Sequence, residues 1–369
     1  MAGVIANRVW ASLLVAACGQ QSTAPPPVRD AGAGEALYQR ACSPCHGDDG
    51  KGYKADHAPS LVTSTFLESA SDEFLRNSIA LGRPGTSMAA YGKQLGGPLD
   101  VAAIGQLVTW IRGHGPQPIA LPPVGPGDIQ RGATLYAQDC LKCHGSHDQR
   151  GDAVLLANAQ FLRSASNAYI RWAIVHGRPG TPMESWQAKL TDPQIDDLVA
   201  YVRAFEQPGK QESRLPPPTG HEPLVLNPKG AAPSFTVRHE DRAYVPIDQA
   251  AKQLAAGKRM IIIDARPTSE WQRVHITGAV SIPYMDLDKL DVLPRDGTWI
   301  LPYCACPHHL SGVVADALTK RGYQHVAVLD EGINEWFRRG YPVVAAAGVE
   351  PPPAEMAHPL QRPIVGTPR

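Results

Sequence analysis

The pattern of apolar and polar positions divides the chain into a helical part and a part in which strands and helices alternate. In the helical part, two stretches carry apolar residues at i, i+3, i+4 and i+7, the period of a helix with one buried face. The stretches are Ile104, Leu107, Val108 and Ile111, and then Ile195, Leu198, Val199 and Val202. Trp110 and Tyr201 add an aromatic residue at matching positions. The pattern predicts two amphipathic helices that belong to a duplicated unit.

From about residue 242 the pattern changes to alternating strands and helices. Short apolar runs at 260–263, 299–303 and 326–329 predict buried strands. Helical patterns at 248–256, 311–322 and 331–339 each end at or beside a glycine, which is a helix stop signal. The linker before this region holds one further apolar run, 224–226, that suits extended packed chain. The alternation predicts a small α/β domain with a mainly parallel sheet.

A five-residue motif, Cys-x-x-Cys-His, occurs twice, at 42–46 and at 140–144. It is the attachment signature of c-type haem, because two thiols at this spacing can add to the two vinyl groups of one porphyrin. The adjoining His46 or His144 then binds the iron. The alternatives are a redox disulfide or a zinc half-site, and zinc would need a second ligand pair that is not nearby. The predicted attachment residues are Cys42, Cys45, Cys140 and Cys143.

A methionine follows each of these histidines after roughly 40 residues, in the shared frame Gly-Arg-Pro-Gly-Thr-x-Met. A loop rich in glycine and proline is not a helix interior, so it presents the thioether from a constrained backbone. We therefore predict that Met88 and Met183 are the distal iron ligands. Ligation by His and Met is typical of electron-transfer cytochromes. His176 is the alternative ligand for the second iron.

The order of helix, haem motif, loop, methionine and closing helix resembles the class I cytochrome c family, over residues 30–113 and again over 128–206. A Gly-x-x-Leu-Tyr frame precedes each motif and ends at Tyr38 or Tyr136. The resemblance implies two all-α domains, two covalently bound haem c groups and a role in electron transfer. A domain this short buries little apolar surface alone, so the haem would complete its core.

The C-terminal region, residues 242–347, resembles the rhodanese family. The resemblance rests on several runs in family order, at 264–266, 270–271, 275–280, 282–283, 303–304, 332–336 and 340–342. It implies a nucleophilic cysteine at the end of a buried strand, and Cys304 matches that position. The loop that follows departs from the family, because Pro307 stands where glycine is usual and no arginine is present. These departures leave open both thiosulfate as a substrate and the shape of the loop.

The loop after Cys304 contains the other candidate residues of this site. Its backbone N–H groups and the following helix N-terminus would favour a thiolate or a persulfide, although Cys304 could instead be an inert core residue. Cys306 is a resolving thiol, a disulfide partner of Cys304 or a mere neighbour. His308 and His309 either supply part-time positive charge or are solvent-exposed. Two cysteines beside two histidines also permit a zinc interpretation.

Composition and the N-terminal sequence indicate the location of the protein in the cell. A formal net charge of zero argues against nucleic-acid binding. The apolar run at 9–17 is too short to span a membrane and has the proportions of a secretory signal. It ends at Cys18 in a sequence that resembles a bacterial lipobox. We therefore expect a signal peptide at 1–17, a lipidated Cys18 and a tether at 18–29, on the extracytoplasmic side of a bacterial membrane. An ordinary signal peptide and an uncleaved anchor are the alternatives.

The sequence thus predicts a multidomain protein with two all-α cytochrome c domains followed by an α/β rhodanese-like domain with a mainly parallel sheet. The 35 prolines and 34 glycines indicate linkers, placed at 114–127 and 207–241, and a tail at 348–369. The predicted function couples haem electron transfer to sulfane-sulfur chemistry at Cys304. Its partners would be redox proteins of the respiratory chain or of a sulfur-oxidising system, and the membrane through the lipid anchor. The alternatives are a plain electron-transfer cytochrome whose third domain binds sulfur or docks a partner, and a zinc- or copper-handling loop. The sequence leaves open whether the chain is a sulfurtransferase, a sulfur-compound oxidoreductase or no enzyme.

Overall fold

The structure of the chain is a computed structural model, which describes residues 31–53, 57–206, 212–305 and 308–355. The described residues form α-helices and β-strands and, in addition, two 3-10 helices, Lys93–Leu95 and Leu287–Val292. The helices are α1 (Ala31–Ala41), α2 (Ser43–His46), α3 (Ser64–Ser69), α4 (Asp72–Leu81), α5 (Val101–Arg112), α6 (Ile129–Asp139), α7 (Leu141–His144), α8 (Ala159–Ser164), α9 (Asn167–His176), α10 (Asp192–Ala204), α11 (Ile247–Ala255), α12 (Thr268–Trp271), α13 (His309–Lys320) and α14 (Gly332–Arg338). The strands are β1 (Gln149–Arg150), β2 (Arg238–His239), β3 (Ala243–Val245), β4 (Met260–Asp264), β5 (Val274–Ile276), β6 (Val280–Ser281), β7 (Trp299–Tyr303), β8 (Val328–Leu329), β9 (Val343–Ala345) and β10 (Ala354–Glu355).

Each helical domain is built on a pair of crossing helices, α1 with α5 and α6 with α10. A glycine allows the close approach in each pair. A Cβ atom on Gly34 would lie 2.5 Å from the carbonyl oxygen of Gln106, and one on Gly132 would lie 2.1 Å from that of Asp197. The apolar stripes predicted for α5 and α10 are buried at all eight positions, because this face of each helix meets its partner. The duplicated all-α architecture is confirmed.

The two helical domains pack on each other around one shared apolar core. The Thr65 hydroxyl donates a hydrogen bond to the Gly177 carbonyl at 2.7 Å, and the Asn158 amide donates to the Pro84 carbonyl at 2.9 Å. The linker predicted at 114–127 is itself attached to the first domain, because the Ile119 N–H donates to the Glu68 carbonyl at 3.0 Å. The contact between the domains is therefore specific.

The C-terminal domain has a mainly parallel sheet, as predicted. Strand β4 lies between β6 and β7 and runs parallel to both, with Ile262 opposite Leu301. A parallel bridge from Ile300 to Val326 leads to β8, which pairs in parallel with β3, and β2 adds an antiparallel edge. All five residues of β4 are buried, which explains why the sequence is apolar at nearly every position there.

Two segments predicted as a linker and a tail pack against the domains. Leu226 exchanges two backbone hydrogen bonds with Met260, and the Arg273 side chain forms an ion pair with Glu212 at 2.7 Å. The described part of the 207–241 segment therefore lies along the α/β domain. Near the C-terminus, β10 pairs in parallel with β1 of the second helical domain. The domain boundaries themselves stay predictions.

Some of the predicted features fall beyond the described residues. These are the signal peptide, Cys18, the whole tether, Cys306, Pro307 and the end of the tail. Within the described ranges, no helix combines the length and the apolar character that crossing a membrane requires.

Candidate functional site

The two Cys-x-x-Cys-His motifs adopt the same local structure. Cys42 and Cys140 each cap a four-residue helix, with φ and ψ of −116° and −36° at the first and −117° and −35° at the second. In both helices the backbone N–H of the histidine bonds back to the first cysteine's carbonyl, at 2.9 Å for His46 and 3.0 Å for His144. This turn brings both thiols and the imidazole of each motif together, as haem attachment requires.

Each histidine is held in the orientation that an iron ligand needs. Nδ1 of His46 donates to the Pro59 carbonyl at 2.8 Å, and Nδ1 of His144 donates to the Val154 carbonyl at 2.8 Å. Burial lowers the pKa of both imidazoles, only partly offset by these hydrogen bonds, and so favours the neutral form. A neutral ring whose Nδ1 is already bonded presents Nε2 to a metal. The residues present therefore fit a haem iron.

The four cysteines of the two motifs form no disulfide. Burial raises the pKa of Cys42 and that of Cys140 to about 12. Within the described ranges, no cluster of three or more His, Cys, Asp or Glu side chains could hold a metal ion. The described residues thus place no second ligand pair of the kind a zinc site needs beside either motif.

The two methionine loops share one hydrogen-bonded frame. The Arg83 N–H donates to the Met88 carbonyl at 2.7 Å, and the Arg178 N–H donates to the Met183 carbonyl at the same distance. The N–H of each methionine bonds to a threonine hydroxyl, at 3.1 Å from Met88 and 3.2 Å from Met183. Each frame opens on a glycine at positive φ, where a Cβ atom would lie 2.5 Å from backbone atoms. The loop is therefore built identically in both domains, whereas His176 is the last residue of α9.

A cavity at the interface of the helical domains brings the first ligand set together. The cavity opens to solvent, and its volume is about 1500 Å³ when the open space at its mouth is counted. His46 and Met88 both line it, together with Cys42 and Cys45. Val154, whose carbonyl binds His144, lines the same cavity from the second domain. The two candidate haem sites therefore adjoin each other.

An aromatic cluster between the domains was not found from the sequence. Its members are Phe66 and Phe74 in the first domain and Phe161 and Tyr169 in the second. Arg83 lies over Phe161 of the other domain at 5.9 Å, and Arg178 lies over Phe66 at 5.8 Å. Burial lowers the pKa of Arg83 to about 10, and neither arginine forms an ion pair with a carboxylate in the described residues. The sequence does show that both arginines occupy equivalent positions in the repeat. That equivalence was the one sequence feature that pointed to these contacts.

The rhodanese-like loop begins where the sequence placed it. Cys304 directly follows β7, and its side chain is 1% exposed. Its Sγ lies 3.3 Å from the hydroxyl oxygen of Ser311, which is fully buried in the first turn of α13. The Ile333 N–H donates to the Cys304 carbonyl at 2.9 Å and so anchors the strand end. Cys306, the second candidate thiol, lies outside the described residues.

Of the two loop histidines, His308 has a defined partner. Its Nε2 is 2.5 Å from a carboxylate oxygen of Asp330, and the ring lies 4.2 Å from that of Tyr244. Burial would raise the pKa of Asp330, but the hydrogen bond from His308 and the charge of Arg238 outweigh it and lower the pKa. His308 is thus bound to a carboxylate, which the sequence did not reveal. His309 is the first residue of α13.

The rhodanese-like loop lies beside the first haem motif. Leu310, in the first turn of α13, lines the same cavity as His46 and Met88, and α13 packs on α2. The Tyr284 hydroxyl donates to the Ala41 carbonyl at 2.7 Å and lies 3.0 Å from the Tyr91 hydroxyl. The third domain therefore packs directly against the end of the first domain that carries its haem motif.

Comparisons with protein families agree with this architecture. The family model described as cytochrome c oxidase, cbb3-type, subunit III matches residues 29–111 and 127–202, and the rhodanese-like domain model matches 247–339. Two cytochrome c domains therefore precede a rhodanese-like domain in this chain. Cytochrome c domains of this type imply covalently bound haem c.

Several curated proteins are similar to less than half of this chain. The cbb3-type cytochrome c oxidase subunit CcoP of Azospirillum sp. (strain B510) is 27% identical over 188 residues, which are 46% of this chain and 60% of that protein. The corresponding subunit FixP of Azorhizobium caulinodans is 28% identical over 47% of this chain and 58% of its own length. A dihydro-heme d1 dehydrogenase of Pseudomonas aeruginosa is 38% identical over 71 residues, 19% of this chain and 14% of that protein. The chain thus spans less than two thirds of these relatives.

Two solved structures are each similar to part of this chain. The reducing HAO-like protein complex of Kuenenia stuttgartiensis matches 47% of this chain and 96% of its own, at 20% identity and a TM-score of 0.33. The rhodanese-like domain of an Anabaena sp. protein matches 34% of this chain and 97% of its own, at 23% identity and a TM-score of 0.27.

Proposed function

We propose that this protein is an extracytoplasmic dihaem cytochrome c that couples electron transfer to sulfur-compound chemistry at Cys304. The observation that carries the proposal is the position of the rhodanese-like loop. Leu310, six residues after Cys304, lines the cavity that contains His46 and Met88. A reaction at the loop would thus occur beside a haem site of the same chain.

Two haem c groups would be held by matching residues in the two domains. The first set is Cys42, Cys45, His46 and Met88, and the second is Cys140, Cys143, His144 and Met183. Each haem, when bound, exchanges one electron at a time, so two haems match a two-electron oxidation. The pyridine haemochrome assay should find two haems per chain, and one haem per chain would contradict this part of the proposal.

Sulfur chemistry at Cys304 can be written so that atoms and electrons balance. The Cys304 thiolate attacks the outer sulfur of a sulfane donor, forms a persulfide and releases the rest of the donor as a thiolate or sulfite. No net electron leaves in this step. A second thiolate, which we assign to Cys306, then couples with the persulfide to form a trisulfide and releases two electrons. Ser311 is placed to hydrogen-bond Sγ of Cys304 in its thiolate form.

A continuous set of short contacts links this strand to the first haem motif. The Ala265 N–H donates to the Tyr303 carbonyl at 2.9 Å, and the Tyr284 N–H donates to the Ala265 carbonyl at 2.9 Å. The Tyr284 hydroxyl then reaches the carbonyl of Ala41, the residue before Cys42. The two sites are therefore joined by hydrogen bonds and covalent bonds without a solvent gap.

Stopped-flow spectroscopy of haem reduction by a polysulfide tests the coupling. Cys304→Ser should abolish sulfur-dependent reduction, because the nucleophile is lost, while reduction by dithionite keeps its wild-type rate. Cys306→Ser should still accept sulfur but reduce the haems more slowly. If Cys304→Ser reduces its haems with polysulfide as fast as wild type, the two halves are not chemically coupled.

One observation favours a second candidate function. Cys304 is 1% exposed, and the rhodanese-like domain buries part of its surface on the first cytochrome domain. A domain used in this way would bind sulfur passively or dock a partner while the haems transfer electrons. In that case, Cys304→Ser leaves every haem reduction rate unchanged.

The partners and the location belong to the same proposal. The relatives are named as subunits of cbb3-type oxidases, so we propose redox proteins of the respiratory chain or of a sulfur-oxidising system as electron partners. A lipid on Cys18 would attach the protein to the extracytoplasmic side of a bacterial membrane. The sulfane-sulfur compound is the proposed substrate.

A further inference from the structure

The two cytochrome domains present equivalent surfaces beside their haem motifs. Backbone bonds establish the equivalence, because the Tyr91 N–H bonds to the Ile79 carbonyl and the Trp186 N–H bonds to the Ile174 carbonyl in the same way. We define the first haem face as Ala41, Ser43, Cys45, Ala90 and Tyr91. The second haem face consists of the equivalent residues Asp139, Leu141, Cys143, Ser185 and Trp186.

The rhodanese-like domain covers the first haem face. Tyr91 is 9% exposed and Ala90 is 1% exposed. The Ser269 hydroxyl donates to the Ala90 carbonyl at 2.5 Å, and Arg40 donates to the Met285 carbonyl at 3.0 Å. A separate protein therefore cannot reach the first haem motif over this face.

The second haem face is open. Cys143, Asp139 and Ser185 are exposed, and Leu141 and Trp186 are partly exposed. Cys143 is the most exposed of the four predicted haem-attachment cysteines. Its apolar centre consists of Leu141 and Trp186, which stand where the first face has Ser43 and Tyr91.

Charges around this apolar centre cancel. Lys189 pairs with Glu184 at 2.7 Å and lies over the Trp186 ring at 4.8 Å. Lys142 and Asp139 add one exposed charge of each sign. A face without net charge does not select a strongly acidic or basic partner, and an aromatic centre with a polar rim is typical of transient protein interfaces.

We propose that the second haem face is the docking surface for a separate electron-transfer protein, one with a near-neutral, apolar patch around its own redox centre. Electrons then enter or leave the chain through the second cytochrome domain, while the first serves the rhodanese-like domain. The proposal needs haem in the second domain but does not depend on sulfur chemistry at Cys304. Its failure is therefore distinguishable from failure of the proposed coupling.

Leu141→Ser combined with Trp186→Tyr tests the surface in the full-length holoprotein. These substitutions install the residue types that the first domain already carries at Ser43 and Tyr91, so haem attachment should be preserved. Ile129→Ser is the matched control, because Ile129 is an exposed apolar residue of the same domain, 48% exposed. The probe is an oxidised soluble monohaem cytochrome c with a near-neutral surface, mixed with reduced protein in a stopped-flow instrument.

The double variant should lower the second-order rate constant with the probe at least about fivefold and leave oxidation by a small cobalt complex unchanged. The Ile129→Ser variant should match wild type with both oxidants. Raising the salt from about 20 to about 200 mM should change the wild-type rate less than about twofold, because the face is neutral.

Four results would overturn the proposal. One is a double variant that reacts with the probe as fast as wild type. Another is an equal loss of rate with the cobalt complex, which would locate the effect at the haem itself. The last two concern other occupants of the face. A wild-type dimer that the double variant dissociates would assign the face to a second copy, and faster transfer after deletion of residues 356–369 would assign it to this chain's own end.

Discussion

At the scale of single residues, the duplication is visible in hydrogen bonds rather than in sequence identity alone. Ser87 in one methionine loop is replaced by Pro182 in the other, yet both loops keep the bond from the arginine N–H to the methionine carbonyl. Both frames also begin at a glycine whose positive φ a side chain would strain. The backbone geometry thus positions each thioether independently of the one variable residue.

Removing either thioether tests the ligand assignment. Met88→Ala and Met183→Ala should each lower one haem potential, on the order of 0.1 V, because a thioether favours ferrous iron. Each should remove half of the methionine-to-iron band at the red edge of the oxidised spectrum. His176→Ala is the control and should leave the band intact. A band that persists in Met183→Ala and disappears in His176→Ala would exchange the two assignments.

A buried carboxylate in the second domain predicts a pH-dependent stability. Asp197 accepts hydrogen bonds from Arg131 at 2.7 Å and from the Asp128 N–H at 2.6 Å. The bond from Arg131, followed by that from Asp128, lowers the pKa of Asp197 in spite of its desolvation. A carboxyl whose pKa is lower in the folded protein than in the unfolded chain stabilises the fold. This stabilisation is complete above the unfolded aspartate pKa of about 3.9, and it is lost as the pH falls through the pKa of the folded state.

Asp197→Asn should therefore destabilise the protein by roughly 1 kcal/mol at neutral pH, and the difference should vanish in acid. Urea unfolding of the holoprotein at several pH values measures this. Asp192→Asn is the control, because the Asp192 side chain is 81% exposed in its ion pair with Arg171 and should contribute little. A difference that stays constant down to about pH 3 would contradict the assignment.

At the scale of secondary-structure elements, the two cytochrome domains are joined by crossed contacts between equivalent helices. The Phe74 ring of α4 stacks on the Tyr169 ring of α9, with centroids 4.6 Å apart. Arg178, just after α9, lies over Phe66 in α3 and over Tyr169. The aromatic rings therefore form one core across the interface, and side chains of each domain pack against the core of the other.

Tyr169→Ala should loosen the partner domain as well as its own. Backbone hydrogen exchange in α3 and α4 of the first domain should become roughly tenfold faster, since Tyr169 stacks on Phe74 across the interface. Tyr201→Ala is a matched control, because Tyr201 contacts Tyr136 and Phe205 within the second domain. If Tyr169→Ala accelerates exchange only within 128–206, the interface is not energetically coupled.

At the scale of the whole molecule, the rhodanese-like domain and its flanking segments connect to both cytochrome domains. The domain lies on the first through Tyr284 and Ser269, and β10 beyond it pairs with β1 of the second. This arrangement makes the two haem faces unequal, although the domains that carry them are duplicates.

A lipid on Cys18 is predicted to attach the intact protein to a membrane. Cys18→Ser should release the protein from the membrane fraction, because several acyl chains hold a protein stably and none would remain. The haem content of the released protein should equal that of wild type, which would show that export still occurred. Protein that stays in the membrane fraction after this substitution would point to an uncleaved N-terminal anchor.

The sequence alone determined the domain types and the position of Cys304, and it predicts the haem attachment residues. These follow from local rules, since Cys-x-x-Cys-His spacing, a Gly/Pro loop before Met88 and an apolar stripe on α5 each act within a few turns of chain. The helices and strands follow for the same reason, with ends displaced by a few residues, as at α13, which begins at His309.

Only the tertiary structure decided how these parts meet. The pairing of His308 with Asp330, the aromatic cluster between the domains and the covering of the first haem face join residues distant in the chain, and no local pattern encodes such contacts. Tyr91 and Tyr284 show the reason most clearly. Each is unremarkable in its own segment, and the two hydroxyls lie 3.0 Å apart because separate domains bury complementary surfaces against each other. Contacts of this kind depend on the shape and polarity of whole faces, which exist once the chain has folded.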